Sequence, residues 1–271
     1  MKKLSPRNLK EKHVRAMCRK FEEENLSAAA IQTYMSFLRV FCVWIGKKGM
    51  IRRTEEYFDD PGKVKRVYAA KKDKSWDIPE IDKIKIINQM MQDHPCVGMQ
   101  LLVMDAFGLR RKEAIMLKPL LAEHGGMLHI TDGAKTGKPR VIPIKTEYQQ
   151  YVLVAAQRFV KIPAAHMGDP RFSLKQNLTL FSNIVYRAGI KKTGLGALGI
   201  TAHGLRAGFA MKFMEDLGLV PVLRGGKSGQ IDPDEEEAIR QKVALALGHN
   251  RTSVTTAYSG PRNKRAGQKS N

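Results

Sequence analysis

Apolar residues recur with a helical period over most of this chain. Near its start they occur at steps of three and four, at Ile31, Tyr34, Leu38, Phe41 and Ile45. That period predicts a helix beginning near Ser27, preceded by a shorter helix from about residue 9 to residue 25. Further helices are predicted over residues 78–92, 96–107, 146–161, 174–188 and 203–217, with a short one ending before Pro119.

A helix near the end of the chain has well-marked boundaries. Asp232 is suited to the N-cap, Pro233 to the first helical position, and the acidic residues that follow suit the positive end of the helix dipole. Gly248 is typical of the residue just beyond a helix end. The sequence therefore predicts a helix from about Asp232 to Gly248.

One stretch has the pattern of a β-hairpin. Residues 127–130 and 140–144 are short apolar runs on either side of the turn-rich segment 132–137. With the helices, this hairpin predicts a mainly α fold with a small antiparallel β-sheet. The charged, aperiodic stretch 62–77 indicates a linker, so we expect a helical module over residues 1–75, a larger domain over residues 76–260 and a basic polar tail over residues 261–271.

The charge of the chain indicates a polyanionic partner. Its 271 residues include 47 Lys and Arg against 26 Asp and Glu, a formal net charge of +21. Such an excess attracts polyanions, and nucleic acid is the expected partner, with a merely solubilising charge as the alternative. The basic helical module at the start of the chain suits contact with a DNA groove.

The cysteines and the apolar runs bear on compartment. Cys18, Cys42 and Cys96 are odd in number and lack CxxC spacing, so the sequence predicts neither a closed disulfide framework nor a zinc site. No signal peptide or apolar run of membrane-spanning length is present in the sequence. We expect a cytoplasmic, nucleoid-associated protein with no membrane partner, no metal and no cofactor.

An ordered set of polar residues carries the candidate chemistry. In chain order it consists of Arg110, Glu113, Lys135, His203, Arg206, His249 and Tyr258. A tyrosine can attack phosphorus, arginines can hold phosphate oxygens through two parallel hydrogen bonds, and lysine and histidine can transfer protons. Each residue alone is more often structural, but the set together predicts the cutting of DNA.

The motifs around these residues resemble those of the tyrosine recombinase (phage integrase) family. Residues 108–117 resemble its G-L-R-x-x-E-x-x-x-L box, and residues 134–143 resemble its lysine-bearing hairpin. Residues 203–206 match its H-x-x-R box, and residues 247–258 match its closing box. The resemblance spans about residues 78–260, is nearest to integrases of mobile elements, and implies that residues 1–75 are part of a core-binding domain that clamps DNA.

The resemblance implies how DNA would be cut. Tyr258 would form a 3′-phosphotyrosyl bond and release a free 5′-hydroxyl, with no metal or ATP. Arg110 and Arg206 would hold the phosphate, and Lys135 would protonate the leaving oxygen.

Supporting roles are also implied. His203 would assist proton transfer at the tyrosine, His249 would bind the phosphate, and Glu113 would orient the arginines and a histidine without reacting. Two neighbours compete on sequence grounds alone, Arg111 with Arg110 and Lys138 with Lys135.

The activity implied by the resemblance is site-specific recombination that integrates or excises a mobile element. Its partners would be double-stranded DNA attachment sites, a homotetramer on two such sites, and accessory DNA-bending or directionality factors. A type IB-like DNA-relaxing enzyme and a non-catalytic accessory DNA-binding protein are the alternatives.

The chain departs from the family pattern in three places. The stretch 218–232, which contains Arg224-Gly-Gly-Lys-Ser-Gly229, is longer than the usual spacer, and it either contacts DNA or a partner protomer or is a solvated loop. The tail 259–271 has four basic and no large apolar residues, so it is not suited to exchanging an apolar helix between protomers. The N-terminal module is shorter than a full core-binding domain.

Overall fold

A computed structural model describes residues 5–134, 137–227 and 229–261. Within these ranges the chain is mainly helical and has a small antiparallel sheet, as predicted. Cα–Cα distances divide the chain into two compact units, Met1–Tyr68 and Ala69–Asn271. Every helix in the described part of the chain is too short or too polar to span a bilayer.

The first unit is built on helices α1 (Glu11–Glu23) and α2 (Ala28–Trp44). Ser27 begins α2, and its hydroxyl accepts a hydrogen bond from the Ala30 N–H at 3.3 Å. The buried face of α2 is rotated from the predicted one, because Met35 and Cys42 are buried whereas Tyr34 is 47% exposed. The apolar cluster of this unit consists of Val14, Cys18, Ile31, Met35, Cys42, Ile51, Tyr57, Phe58 and Val64.

The second unit packs helices around one central helix, α4. Its helices are α3 (Lys83–Asp93), α4 (Pro95–Phe107), α5 (Arg111–Met116), α6 (Pro119–Ala122), α7 (Glu147–Phe159), α8 (Leu174–Arg187), α9 (His203–Asp216), α10 (Pro233–Ala246) and α11 (Thr256–Ser259). Helix α4 is buried on nearly all sides and packs against α3, α7 and α9. This packing fixes α9, which carries two of the candidate site residues.

A short sheet lies beside these helices. Strands β1 (Glu123–His124), β2 (Met127–Ile130) and β3 (Arg140–Pro143) are antiparallel in the order β1-β2-β3, with Ile130 opposite Arg140. The hairpin of β2 and β3 matches the prediction. Strand β1 was not predicted, because two residues are too few to show a strand's alternation.

The start of α3 and the stretch before it differ from the prediction. Helix α3 begins at Lys83, where the Asp82 carboxylate accepts the Lys85 N–H at 2.9 Å, and not at residue 78. The stretch before it is not an open linker, because Trp76 is buried and its Nε1–H donates to the Thr201 carbonyl at 2.8 Å. The sequence did not indicate this contact for two reasons. The residues around Trp76 are charged, and its partner is 125 residues away in the sequence.

Candidate active site

Arg206 lies at the centre of the candidate site. It follows His203, the first residue of α9, by one helical turn, and its side chain is fully buried. Its guanidinium donates to the main-chain carbonyls of Gly108 and Leu247. Its Nε lies 3.3 Å from the hydroxyl of Tyr258. Arg206 therefore joins segments that are far apart in the sequence.

Gly108 ends α4 in a conformation that favours glycine. Its φ is +59°, and a Cβ there would lie 2.3 Å from the ring of Phe209. The resulting turn directs the Gly108 carbonyl to Arg206 and leads the chain through buried Leu109 to Arg110. The glycine of the predicted G-L-R box is thus explained by backbone conformation and close packing.

Glu113 is a buried carboxylate shared by two arginines. Its oxygens accept the Arg110 main-chain N–H at 2.6 Å and Arg110 Nη1 at 2.7 Å. Arg140 binds it with both terminal nitrogens, at 2.5 and 2.8 Å. Burial alone would raise the pKa of Glu113, but the hydrogen bonds and charges of Arg140 and then Arg110 lower that pKa to about 2.

Arg140 is a structural member of this cluster that sequence reasoning missed. Its side chain is buried, and Nε also donates to the Ala246 carbonyl at 2.8 Å. Strand alternation offered a signal, because Arg140 lies on the same face of β3 as buried Ile142. An arginine on an inward face requires a buried acid, and Glu113 is that acid.

The end of α10 brings the two candidate clamp arginines together. The Leu247 carbonyl accepts Arg110 Nη2 at 3.2 Å and also accepts from Arg206. Gly248 follows with a φ of +67°, and a Cβ there would lie 3.0 Å from Arg140 Cδ. The Leu247 carbonyl therefore binds Arg110 and Arg206, and the absence of a side chain at Gly248 leaves room for Arg140.

Tyr258, on α11, lies between the two histidines and Arg206. Its hydroxyl is 3.5 Å from His249 Nε2, and its ring centroid is 6.0 Å from that of His203 and 6.3 Å from that of His249. The Tyr258 side chain is largely buried. The phenol oxygen is thus within reach of an arginine that donates a hydrogen bond and of a histidine that can donate or accept one.

Arg240 holds the turn that carries Tyr258. It is buried on α10, and its Nη1 donates to the hydroxyls of Thr255 at 3.1 Å and Ser259 at 3.0 Å. These two residues flank Tyr258 on the short helix α11 and the 3₁₀ turn before it. No sequence motif indicated this contact, because it depends on how α10 packs against the turn.

Electrostatics in the site disfavour positive charge. The pKa of Arg206 is lowered to about 10, mainly by burial, and further by the nearby charges of Arg110 and Arg140, against the favourable effect of Tyr258. The pKa of His203 is also lowered, first by desolvation among the surrounding protein atoms and then by Arg206, Arg110 and Lys74, although the residue as a whole is exposed. An anion entering the site would relieve this repulsion.

Several predicted residues lie elsewhere or outside the description. Lys135 lies outside the described residues, and its competitor Lys138 is exposed before β3. Arg111 does not join the cluster, because it donates to the Ser182 hydroxyl on α8. Across the described ranges no group of three or more His, Cys, Asp or Glu is placed to hold a metal ion.

Comparison with known proteins identifies the family. The model of the Integrase family matches residues 69–212, slightly more than half of the chain and most of its second unit. This chain belongs to the tyrosine recombinase (phage integrase) family. It is therefore an integrase of the class that cleaves and rejoins DNA. A search of curated proteins returned no match.

Solved integrase structures share the fold. A lambda integrase (75–356) dimer bound to a COC′ core site aligns with a TM-score of 0.57 at 15% identity, over 98% of this chain and 84% of that one. The Tn1549 transposon integrase (82–397) in complex with circular intermediate DNA aligns with a TM-score of 0.54 at 12% identity, over 96% and 84%. At this identity the likeness establishes the fold.

Proposed function

We propose that the chain is a site-specific recombinase that cuts and rejoins DNA through a 3′-phosphotyrosyl bond on Tyr258. The observation that carries the proposal is the position of the Tyr258 hydroxyl, 3.3 Å from Nε of the buried Arg206 and 3.5 Å from His249. A tyrosine held against an arginine and a histidine on separate elements has both phosphate-binding and proton-transfer groups beside it.

The phosphate would bind between Arg110 and Arg206. Both guanidiniums are anchored on the Leu247 carbonyl, so their separation is fixed before substrate binds. Such preorganised cations stabilise the charge that develops on the phosphate during transfer. Because the Tyr258 hydroxyl lies 3.3 Å from Arg206 Nε, a phosphate held by this guanidinium would bring its phosphorus close to that hydroxyl.

Proton transfer would follow from the neighbouring groups. His203 has a lowered pKa, is therefore neutral at neutral pH, and would accept the tyrosine proton. Lys135 would protonate the 5′-oxygen that leaves. His249 would donate to a phosphate oxygen. The arginines supply the positive charge, so the proposed mechanism needs no metal.

Duplex DNA and further copies of this chain are the proposed partners. The basic first unit would clamp duplex DNA together with the second. Two strand exchanges need four cuts, and one Tyr258 per chain makes one cut, so a homotetramer on two attachment sites follows. The elements moved would be mobile DNA, with accessory DNA-bending or directionality factors. The solved relatives support a DNA partner, since both were bound to DNA.

A plasmid with two candidate attachment sites, taken from the ends of the element that encodes the chain, tests this function. Incubation without divalent metal should give recombinant circles as well as nicked or relaxed ones. Relaxed circles without recombinants would instead establish a DNA-relaxing enzyme. Tight binding with no strand cleavage on a verified site would establish an accessory DNA-binding protein.

A further inference from the structure

The segment of residues 70–77, here called the coupling segment, contacts the turn that carries Tyr258. The Ala70 N–H donates to the Thr256 carbonyl at 2.9 Å. Thr256 is the first residue of α11 and lies two residues before Tyr258. The coupling segment begins two residues after the first unit ends at Tyr68.

The same segment contacts the start of α9. Trp76 is buried, and its Nε1–H donates to the Thr201 carbonyl at 2.8 Å, two residues before His203. Tryptophan indole N–H groups that are buried need such an acceptor, so this contact fixes the segment in register. One stretch of eight residues therefore contacts α11, which carries Tyr258, and the start of α9, which carries His203 and Arg206.

Glycines on α9 allow this close approach. A Cβ at Gly204 would lie 2.3 Å from the Lys74 carbonyl oxygen, and one at Gly208 would lie 2.9 Å from an Asp77 carboxylate oxygen. The two glycines are one turn apart on the helix face along which the coupling segment runs. They flank Arg206 in sequence, so a shift of the coupling segment would displace the part of α9 that carries Arg206.

Arg224 fastens the coupling segment to α9. Its guanidinium lies 2.6 Å from an Asp77 oxygen, 3.7 Å from an Asp73 oxygen and 2.9 Å from a Glu215 oxygen at the end of α9. Its side chain is 20% exposed. These three carboxylates offset the positive charge of Arg224, so its side chain is poorly suited to bind a DNA phosphate. The contacts favour an internal role for the 218–232 stretch.

The turn that carries Arg224 also supports the end of α11. This 3₁₀ turn covers Val222–Arg224. Gly260, two residues after Tyr258, packs so closely against Leu223 that an added Cβ would lie 3.1 Å from it. Arg224 therefore belongs to a turn that packs against Gly260, the residue after α11. Through Asp77 it also binds the coupling segment, whose Ala70 N–H donates to Thr256, the first residue of α11.

We propose that Arg224 is a positioning residue for strand cleavage. By holding the coupling segment on α9 and the Val222–Arg224 turn under α11, it fixes Tyr258 relative to His203 and Arg206. This inference rests on the proposed function. It also assigns a structural role to the 218–232 stretch. This loop supplies Arg224, which binds the coupling segment, near the start of the second unit, to α9.

The test compares Arg224→Gln with wild type on a nicked suicide substrate at saturating DNA. We expect the rate of adduct formation on Tyr258 to fall about 10- to 100-fold, as small displacements of reacting groups do, while the Kd for DNA stays unchanged. Arg224→Lys should recover part of the rate because it keeps the charge but lacks the fork. The matched control is Lys242→Gln, which removes an exposed cation from α10 and should leave the rate unchanged.

A double-mutant cycle tests whether Arg224 acts through the coupling segment. If the Asp77 contact carries the effect, Arg224→Gln combined with Asp77→Asn should be no slower than the slower single variant. Independent, multiplying losses would show that Arg224 does not work through Asp77 and would overturn the proposal.

The pH profile separates positioning from loss of folded protein. His203 faces the charges of Arg206, Arg110 and Lys74 and the ring of Tyr258, and Lys74 belongs to the coupling segment. Loosening the segment removes part of this repulsion and burial, so the acid limb of cleavage should move to higher pH in Arg224→Gln. Simple unfolding lowers the rate at every pH without moving the midpoint.

Three further results would overturn the inference. The first is an unchanged cleavage rate in Arg224→Gln. The second is weaker DNA binding, with a smaller salt dependence and an unchanged rate at saturation, which would make Arg224 a DNA contact. The third is a wild-type protein that forms no adduct on its verified site, which refutes the proposed function and this inference with it.

Discussion

Arg110 and Arg206 donate to the same acceptor, the main-chain carbonyl of Leu247. The two arginines are nearly a hundred residues apart in sequence, and the end of α10 sets their separation. Because a main-chain carbonyl cannot rotate as a side chain does, the pair is held before a phosphate arrives. This shared anchor supports the proposal that the two arginines hold one phosphate together.

Replacing Arg206 by lysine should separate charge from geometry. Arg206→Lys keeps the positive charge but loses the planar fork that reaches Gly108, Leu247 and Tyr258 at once. We expect cleavage to slow by about 10²- to 10³-fold with little change in DNA affinity, measured by adduct formation and by filter binding. Arg111→Lys is the matched control, since Arg111 contacts Ser182, and an equal loss there would refute the assignment.

Removal of Arg140 should destabilise the second unit. Arg140→Met leaves the buried carboxylate of Glu113 with Arg110 as its remaining arginine. Breaking a buried ion pair on one side costs about 3–5 kcal/mol, which urea unfolding would measure. The double variant Arg140→Met with Glu113→Gln should recover part of the loss. A loss below about 1 kcal/mol for the single variant would contradict this account.

Acid should weaken the fold through Glu113. Its pKa is about 2 in the folded chain against an ordinary value of 4.5, so the charged form is favoured by folding. The resulting stabilisation, about 3 kcal/mol, is fully present above about pH 4.5 and is lost as the pH falls toward 2. Urea unfolding at several pH values should show this slope in wild type and a smaller one in Glu113→Gln. Equal slopes would mean that Glu113 does not carry the effect.

Cleavage should persist to mildly acidic pH. Burial and neighbouring cations lower the pKa of His203, so its neutral form is retained below the ordinary value of 6.5. Protonation of His203 would then reduce adduct formation only as the pH falls below about 6.5. The rate measured against pH in wild type and in His203→Gln checks this. The acid limb should disappear in the variant, and its survival would assign the limb to another group.

DNA binding should weaken steeply with salt. The formal net charge of +21 predicts many phosphate contacts, each contributing about −0.9 to the slope of log K against log salt. Fluorescence anisotropy across a salt series gives that slope. A slope near zero would contradict the binding of duplex DNA by this basic surface.

Sequence patterns were most informative where the physics is local. Helix periods, the caps at Asp232 and Gly248, and the hairpin all correspond to elements of the structure, because hydrogen bonding between near neighbours determines them. The family motifs include Arg206, His203 and His249, which the structure places around Tyr258. The glycine at 108 was part of a motif, and its φ of +59° supplies the reason.

What the sequence concealed depends on long-range packing. Arg140, Arg240 and Arg224 are buried or half-buried arginines whose acidic or hydroxyl partners lie on other elements. Trp76 lies in a charged stretch that resembles a linker, yet its indole N–H donates to the carbonyl of Thr201, two residues before α9. Pairing of this kind becomes visible only when helices and loops are placed together, which no local period encodes.

The proposed function depends on attack of Tyr258 on DNA. The most direct measurement is incubation of the wild-type chain with a nicked suicide substrate carrying its attachment site, followed by denaturing electrophoresis and peptide mapping of the adduct. We expect a covalent 3′-phosphotyrosyl adduct on Tyr258 that Tyr258→Phe does not form, while the variant binds the same DNA with unchanged affinity. An adduct on another residue, or one that forms equally in Tyr258→Phe, would show that Tyr258 is not the nucleophile.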